Sequence, residues 1–243
     1  MASPADPAVL YPDIAAHGSL AAALRPEAEG CLAAVPVTSP GSAPLLHATV
    51  ASTLPHREPL RIMAWSRKRQ WSIRGTEPFQ SMALIDGETD DLAAVARVAR
   101  AWHEGEALDD IRWAAPFVHL TGRFEVPDHD PARLTESEWQ CLRQEAGELG
   151  YAWQETYQAL IEAAHAEPVL RALYPFTSHW ALRFSSTTRP RLTVVGPLLT
   201  ADSDGRYGVG VGEDLDRFAT AHEVVALAVR QLPSGLGPIT LGG

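Results

Sequence analysis

Lysine is almost missing from this chain. Lys68 is the single example, and all other positive charge is arginine. Acidic residues outnumber basic ones 30 to 20, leaving a net charge of −10. A dedicated nucleic-acid binder, whose affinity rests on neutralising phosphates, is therefore not expected. Cysteine is scarce too: Cys31 and Cys141 lie far apart and form no disulfide framework, so two free thiols in a reducing cytosol are expected. No run of 18 apolar residues is present, so no transmembrane helix is expected, and no signal peptide is read at the N-terminus. The named catalytic templates are missing as well. The sequence has no Walker loop, no His-Glu-x-x-His, no Cys-x-x-Cys and no Gly-x-Ser-x-Gly.

What is present is an ordinary globular composition, 46% hydrophobic and 21% charged over 243 residues, enough to bury a full core. In chain order, an alanine-rich run over 14–24 reads as a helix closed by Arg25-Pro26. Residues 31–37 and 45–54 read as a hairpin about the Ser39–Ser42 turn. Strands are expected over 60–65, 71–74 and 80–86, followed by a helix over 92–102 capped by Thr89 or Asp90. Its apolar residues Leu92, Val95, Val98 and Trp102 share one face. A short helix over 107–113 and an extended stretch over 117–126 come next. A long helical pattern, opened by Thr135-Glu-Ser-Glu138, runs to about residue 166 with possible breaks at Gly147 and Gly150. Strands follow over 180–185, 191–200 and 206–211, with a tight turn at Asp202–Gly205. The last helix, 221–232, is capped by Thr220, and the glycine-rich tail has room for one short edge strand.

Runs of antiparallel strands followed by runs of helices specify an α+β fold. The simplest architecture is two β-meanders, each followed by an amphipathic helix, flanking a helical middle. The divisions expected are 1–130 and 131–243, two units or one integrated domain.

The richest stretch for chemistry is Leu173–Ser185, with Thr177, Ser178 and His179 adjacent among three aromatics and an arginine. Histidine titrates near neutral pH and serves as acid or base. If this segment enters a strand, alternation sets Thr177, His179, Ala181 and Arg183 on one face. His179 is then the candidate catalytic residue, with Thr177, Arg183, Tyr207 and Trp180 as candidate substrate-binding residues. The alternative is that Thr177 and Ser178 cap a turn and His179 satisfies a buried backbone group. Asp128-His129-Asp130 reads as a solvated turn before it reads as a metal site, and no metal or cofactor is expected. Gly208-Val-Gly-Val-Gly212 does not sit between a strand and a helix, so it reads as an edge strand or bulge instead of a phosphate loop.

The motifs Leu-Tyr-Pro-Phe-Thr-Ser-His-Trp-Ala-Leu-Arg-Phe-Ser, Asp-Gly-Arg-Tyr-Gly-Val and Thr-Ala-His-Glu-Val-Val-Ala-Leu-Ala-Val-Arg-Gln-Leu-Pro make residues 80–240 similar to a DUF6193-like actinobacterial family. Its members are uncharacterised beyond the label of natural product biosynthesis. The resemblance implies a cytoplasmic protein of specialised-metabolite biosynthesis and brings no catalytic residues with it. On the residues themselves, the leading expectation is a cofactor-independent acid/base enzyme that cyclises or isomerises a peptide or polyketide-like intermediate. The alternatives are a non-catalytic partner or chaperone of a precursor peptide or biosynthetic enzyme, and a self-resistance or immunity protein. The partner expected is a small molecule or peptide, with a homo-oligomer possible and neither nucleic acid nor membrane involved.

Overall fold

Short helices open the chain in the computed structural model, which describes residues 6–27, 35–211 and 214–243. They are α1 (Pro7–Leu10), α2 (Pro12–Ala16) and α3 (Leu20–Glu27). The single helix expected over 14–24 is split, because Gly18 takes a left-handed φ of 76° between α2 and α3. Nor does Arg25-Pro26 close α3, which runs to Glu27. Cys31 lies outside the described residues, whereas Cys141 is buried and in no disulfide among the described residues. The chain divides into two compact units, Met1–Thr121 and Gly122–Gly243.

In the first unit, β1 (Val37–Thr38), β2 (His47–Val50), β3 (Leu60–Ala64), β4 (Trp71–Thr76), β5 (Ala83–Thr89) and β6 (Val118–Leu120) form one antiparallel sheet in sequence order. The alternation of Leu60-Arg61-Ile62-Met63-Ala64 is what seats β3: Leu60, Ile62 and Ala64 are buried and the two residues between them exposed. Full burial of an aliphatic side chain such as Leu60 or Ile62 stabilises by about 1.5–3 kcal/mol. The buried face packs on α4 (Leu92–Glu104), whose stripe Leu92, Val95, Val98 and Trp102 is buried throughout. The cap of α4 is Asp91, which accepts from the Ala93 and Ala94 amides, and not Thr89 or Asp90. Thr89 instead accepts from the Asp91 amide. After α5 (Leu108–Ala114), only Val118–Leu120 of the stretch expected to be extended pairs as a strand.

The second unit opens with α6 (Pro131–Glu148). Asp130 caps it and Pro131 occupies its first turn, so the helix starts earlier than Thr135. The chain breaks after Glu148 and resumes as α7 (Gln154–Ala166). Pro168 then ends α7, because the residue before a proline disfavours the helical region, and it starts α8 (Pro168–Arg171) under a Glu167 cap. A second sheet follows, built from β7 (Tyr174–Ser178), β8 (Ala181–Ser185), β10 (Val194–Ala201), β11 (Tyr207–Val211) and β12 (Asp214–Phe218), in the order β12-β11-β10-β8-β7. Between them β9 (Thr187–Pro190) leaves the sheet and pairs in parallel with the tail strand β13 (Thr240–Gly242). The last helix, α9 (Ala221–Arg230), carries a full capping box between Thr220 and Glu223. Leu182, Phe184, Leu199 and Val209 of the sheet meet Trp139, Leu142, Tyr157, Leu160, Ile161, Val224 and Val225 of the helices in one core.

Two strand expectations change. β11 is an interior strand and not an edge, since β12, which the sequence did not announce, pairs along its full length. The close approach that the alternating glycines permit comes from the chain itself. A Cβ on Gly208 would lie 2.6 Å from the Thr200 hydroxyl, and one on Gly210 would collide with the Asp214 carbonyl. Among the described residues, no helix is long and apolar enough to cross a membrane.

Candidate functional site

The Leu173–Ser185 stretch folds as a hairpin, β7 and β8, and His179 and Trp180 are its two turn residues. Both take left-handed φ values, 50° and 65°, as a two-residue type I′ hairpin turn demands. The continuous strand face expected for Thr177, His179, Ala181 and Arg183 is therefore not formed. A two-residue turn reverses the parity: Thr177 lies across from Leu182, and Phe176 across from Arg183. Thr177 and Arg183 consequently occupy opposite faces, and the Arg183 guanidinium lies 5.8 Å from the Phe176 ring centroid. His179 is exposed at the tip, its Nδ1 3.4 Å from the Ser178 hydroxyl.

Trp180 is the best anchored of the five residues picked out by sequence. Its ring meets Trp153 at 5.5 Å, Tyr157 at 6.0 Å and Tyr151 at 6.1 Å, all edge-on. A non-glycine residue in the left-handed region costs about 1–2 kcal/mol, and edge-to-face aromatic contacts worth about 0.5–1.5 kcal/mol each offset that cost. Tyr207 is buried on the helix-covered side of the sheet, across from Ala201 and Phe218, and burial pushes its phenol above the ordinary range. It belongs to the core more than to any open surface.

A concave site of this unit lies elsewhere. A cleft of about 540 Å³ is bounded by Ala132, Thr135, Glu136 and Trp139 of α6, His165 of α7, Arg171 and Ala172, and Pro238 and Ile239 of the tail. Each wall has a local cause. Trp139 forms the floor because its indole N–H donates to the backbone carbonyls of Arg171 and Leu173, at 3.1 and 3.3 Å, which pins the ring with 1% exposure. His165 meets that ring edge-on at 5.4 Å, in the last turn of α7. The Pro168 break turns the chain so that Arg171 reaches the same hollow. Pro238 and Ile239 are held there because β13 pairs with β9, with the Thr240 amide donating to the Ser186 carbonyl and the Arg191 amide to that of Gly242.

The electrostatics of the cleft favour a neutral imidazole. Burial is the main cause that lowers the His165 pKa below 6.5; Arg143 and Arg171 add to it, and Glu162 opposes it. Neither His165 ring nitrogen has a hydrogen-bond partner among the described residues, nor does the Arg171 guanidinium or the Glu136 carboxylate have an ion-pair partner. The cleft thus offers an unpaired base, an unpaired cation, an unpaired anion and an indole floor. His165 and Trp139 are visible in the sequence only as one of nine scattered histidines and as part of a helix stripe. Nothing in spacing joins residues near 135, 165, 171 and 239.

A second polar group is buried behind α6. The Arg123 guanidinium and Glu138 carboxylate pair at 2.7 and 2.9 Å. Glu145, two turns on, has its carboxyl raised, chiefly by burial. The Tyr157 hydroxyl is buried without a partner, and its pKa is raised by burial and then by Glu145. Among the described residues, no group of three His, Cys, Asp or Glu side chains is placed to hold a metal ion.

No curated protein and no solved structure matches this chain. Residues 133–243, which include every residue of the cleft except Ala132, match the family of unknown function DUF6193.

Proposed function

We propose that the second unit is a cofactor-independent acid/base enzyme whose base is His165 and whose substrate sits on the Trp139 floor. The carrying observation is the unpaired His165 ring, its pKa lowered by partial burial and by two arginines, in a concave hollow of this unit. A general base works best when its pKa lies near or below the working pH and its nitrogen is free to accept. A pKa lowered below 6.5 leaves most of the imidazole unprotonated at pH 7. In the proposed step, His165 removes a proton from a carbon or heteroatom of the substrate. Arg171 holds the carbonyl or carboxylate oxygen that gains the charge. Return of that proton to another atom gives an isomerisation; attack by the newly formed nucleophile on a carbonyl of the same molecule, with the π electrons passing to the oxygen that Arg171 holds and the proton returned there by His165, gives a cyclic isomer. Apolar Ala132, Ala172, Pro238 and Ile239 suit the body of a peptide or polyketide-like intermediate. The setting proposed is specialised-metabolite biosynthesis in the cytoplasm, as the family resemblance implies.

The test is incubation of the purified protein with small-molecule extracts, read by mass spectrometry. One ion should be converted by the wild type to an isomer of the same mass and altered retention, open-chain or cyclic, and left intact by His165→Gln. No conversion in any extract of the source organism, or equal conversion by both proteins, contradicts the reading.

A second reading has its own observation. Tyr151 and Trp180 are 56% and 38% exposed although they belong to the aromatic group with Trp153 and Tyr157. Exposed aromatics of this kind suit a protein partner such as a biosynthetic enzyme or precursor peptide. Loss of a co-purifying partner in Tyr151→Ser, with the cleft variants unaffected, favours it.

A further inference from the structure

The first unit carries chemistry that the cleft does not use. The face of its sheet opposite α4 is open, and the strand registers line up one row across it: Thr38, Thr49, Arg61, Arg74, Asp86 and His119. Arg61 and Arg74 are direct cross-strand neighbours, both exposed. Like charges directly opposite destabilise a sheet, so this placement runs against the stability of the strand pair.

The acids nearby make their short contacts with other groups. Asp86, directly across from Arg74, accepts from His119 Nδ1 at 3.2 Å when that nitrogen carries a proton. Glu88 accepts from the Gln70 amide at 3.0 Å. Neither arginine has an ion-pair partner among the described residues. Arg61 lines a hollow of about 300 Å³ together with Thr38, Thr49, His47 and Met63; Arg74 lies outside that lining, next to Arg61 across the strand pair. The Thr38 and Thr49 hydroxyls bond each other at 2.9 Å, which uses one of their two protons and leaves the other to donate.

We propose that this hollow is an oxyanion site, in which Arg61, backed by its cross-strand neighbour Arg74, and the Thr38–Thr49 hydroxyls take a phosphate or carboxylate group of a small molecule. Three features converge: an arginine pair that makes no ion-pair contact among the described residues although the chain's net charge is −10, a hydroxyl proton left to donate, and a hollow that Arg61 lines. Guanidinium pairs bind oxyanions through parallel N–H bonds, and a bound dianion converts the Arg61–Arg74 repulsion into two attractions. This site is independent of the cleft in the second unit.

Calorimetric titration of the full chain with inorganic pyrophosphate and, separately, with citrate tests it. Saturable binding of at least one probe is expected, tenfold or more weaker in Arg61→Gln and in Arg74→Gln and unchanged in Arg97→Gln, a helix surface arginine. The stronger arm identifies the phosphate or the carboxylate as the natural group. Thermal unfolding without ligand supplies the second readout. Arg61→Gln relieves the like-charge pair without removing a facing acid, so its midpoint should equal or exceed that of the wild type while binding is lost. Absence of saturable heat with both probes, or binding that survives both substitutions, overturns the proposal. So does a lowered midpoint in Arg61→Gln, which would show that side chain to be structural.

Discussion

Arg123 and Glu138 face each other through two near-parallel hydrogen bonds, 2.7 Å from Nε and 2.9 Å from Nη2, with their side chains only 12% and 3% exposed. The Ser137 hydroxyl, beside Glu138, donates to the Phe124 carbonyl and accepts from the Phe124 amide. Together these bonds clamp the chain entering the second unit onto α6, one residue from the Trp139 floor. Removing one member of such a pair strands a buried charge. Glu138→Ala is therefore expected to lose about 3–5 kcal/mol in urea unfolding. The double change Arg123→Met with Glu138→Leu should recover most of that loss. A single substitution costing under about 1 kcal/mol would show the pair to be as weak as a surface ion pair.

The lowered pKa of His165 has a sign that can be checked. A histidine whose folded pKa lies below its unfolded value binds fewer protons when folded, so stability rises with pH through that window. Its contribution is fully present above the ordinary value of 6.5 and is lost as pH falls through 6.5 toward the folded pKa. Wild type should thus lose stability between pH 7 and 5 more steeply than His165→Gln, with unfolding midpoints at each pH as the readout. Identical slopes would mean the ring is solvated in both states. The same shift sets the activity profile: kcat/KM, which reports the free enzyme, should rise with pH along an acid limb whose midpoint lies below 6.5.

Strain at the hairpin tip gives a third expectation. His179 holds φ 50° without the ring contacts that anchor Trp180. Glycine takes that conformation without steric cost. His179→Gly should raise stability by up to about 1 kcal/mol. Destabilisation instead would mean that the imidazole makes a contact essential to the turn.

Gly75 tests the first unit. A Cβ there would lie 2.5 and 2.6 Å from ring atoms of Trp102, which α4 presses against β4. Gly75→Ala should cost about 1–3 kcal/mol by overpacking, measured by chemical denaturation. A neutral result would show that the indole can slide aside.

Much of this fold is legible wherever local chemistry and burial agree. The Leu92, Val95, Val98 and Trp102 stripe, the Thr220 cap and the Asp202–Gly205 turn each carry their own signal, and each forms in place. The α+β class follows from them. β12 is missed because Asp-Leu-Asp-Arg-Phe, lying at an edge with mostly exposed residues, has no buried face to print on the sequence. The His179–Trp180 turn is missed because it has neither the Asn nor the Gly that usually marks a type I′ turn, and tertiary ring contacts hold it instead. That one turn moves the candidate base out of the strand and flips Arg183 relative to Thr177. The cleft is illegible for a different reason. It assembles from three chain segments joined by the Pro168 break and the β9–β13 pairing, and neither has a sequence period.

The central claim is that His165, and not the histidine of the turn, carries the chemistry. The direct measurement is conversion of the extract ion by His165→Gln and His179→Gln side by side, with circular dichroism confirming that both stay folded. The account expects conversion to vanish in His165→Gln and to stay within about twofold of wild type in His179→Gln, a change under about 0.5 kcal/mol in the barrier. Retained conversion in His165→Gln, or its loss in His179→Gln alone, would contradict it.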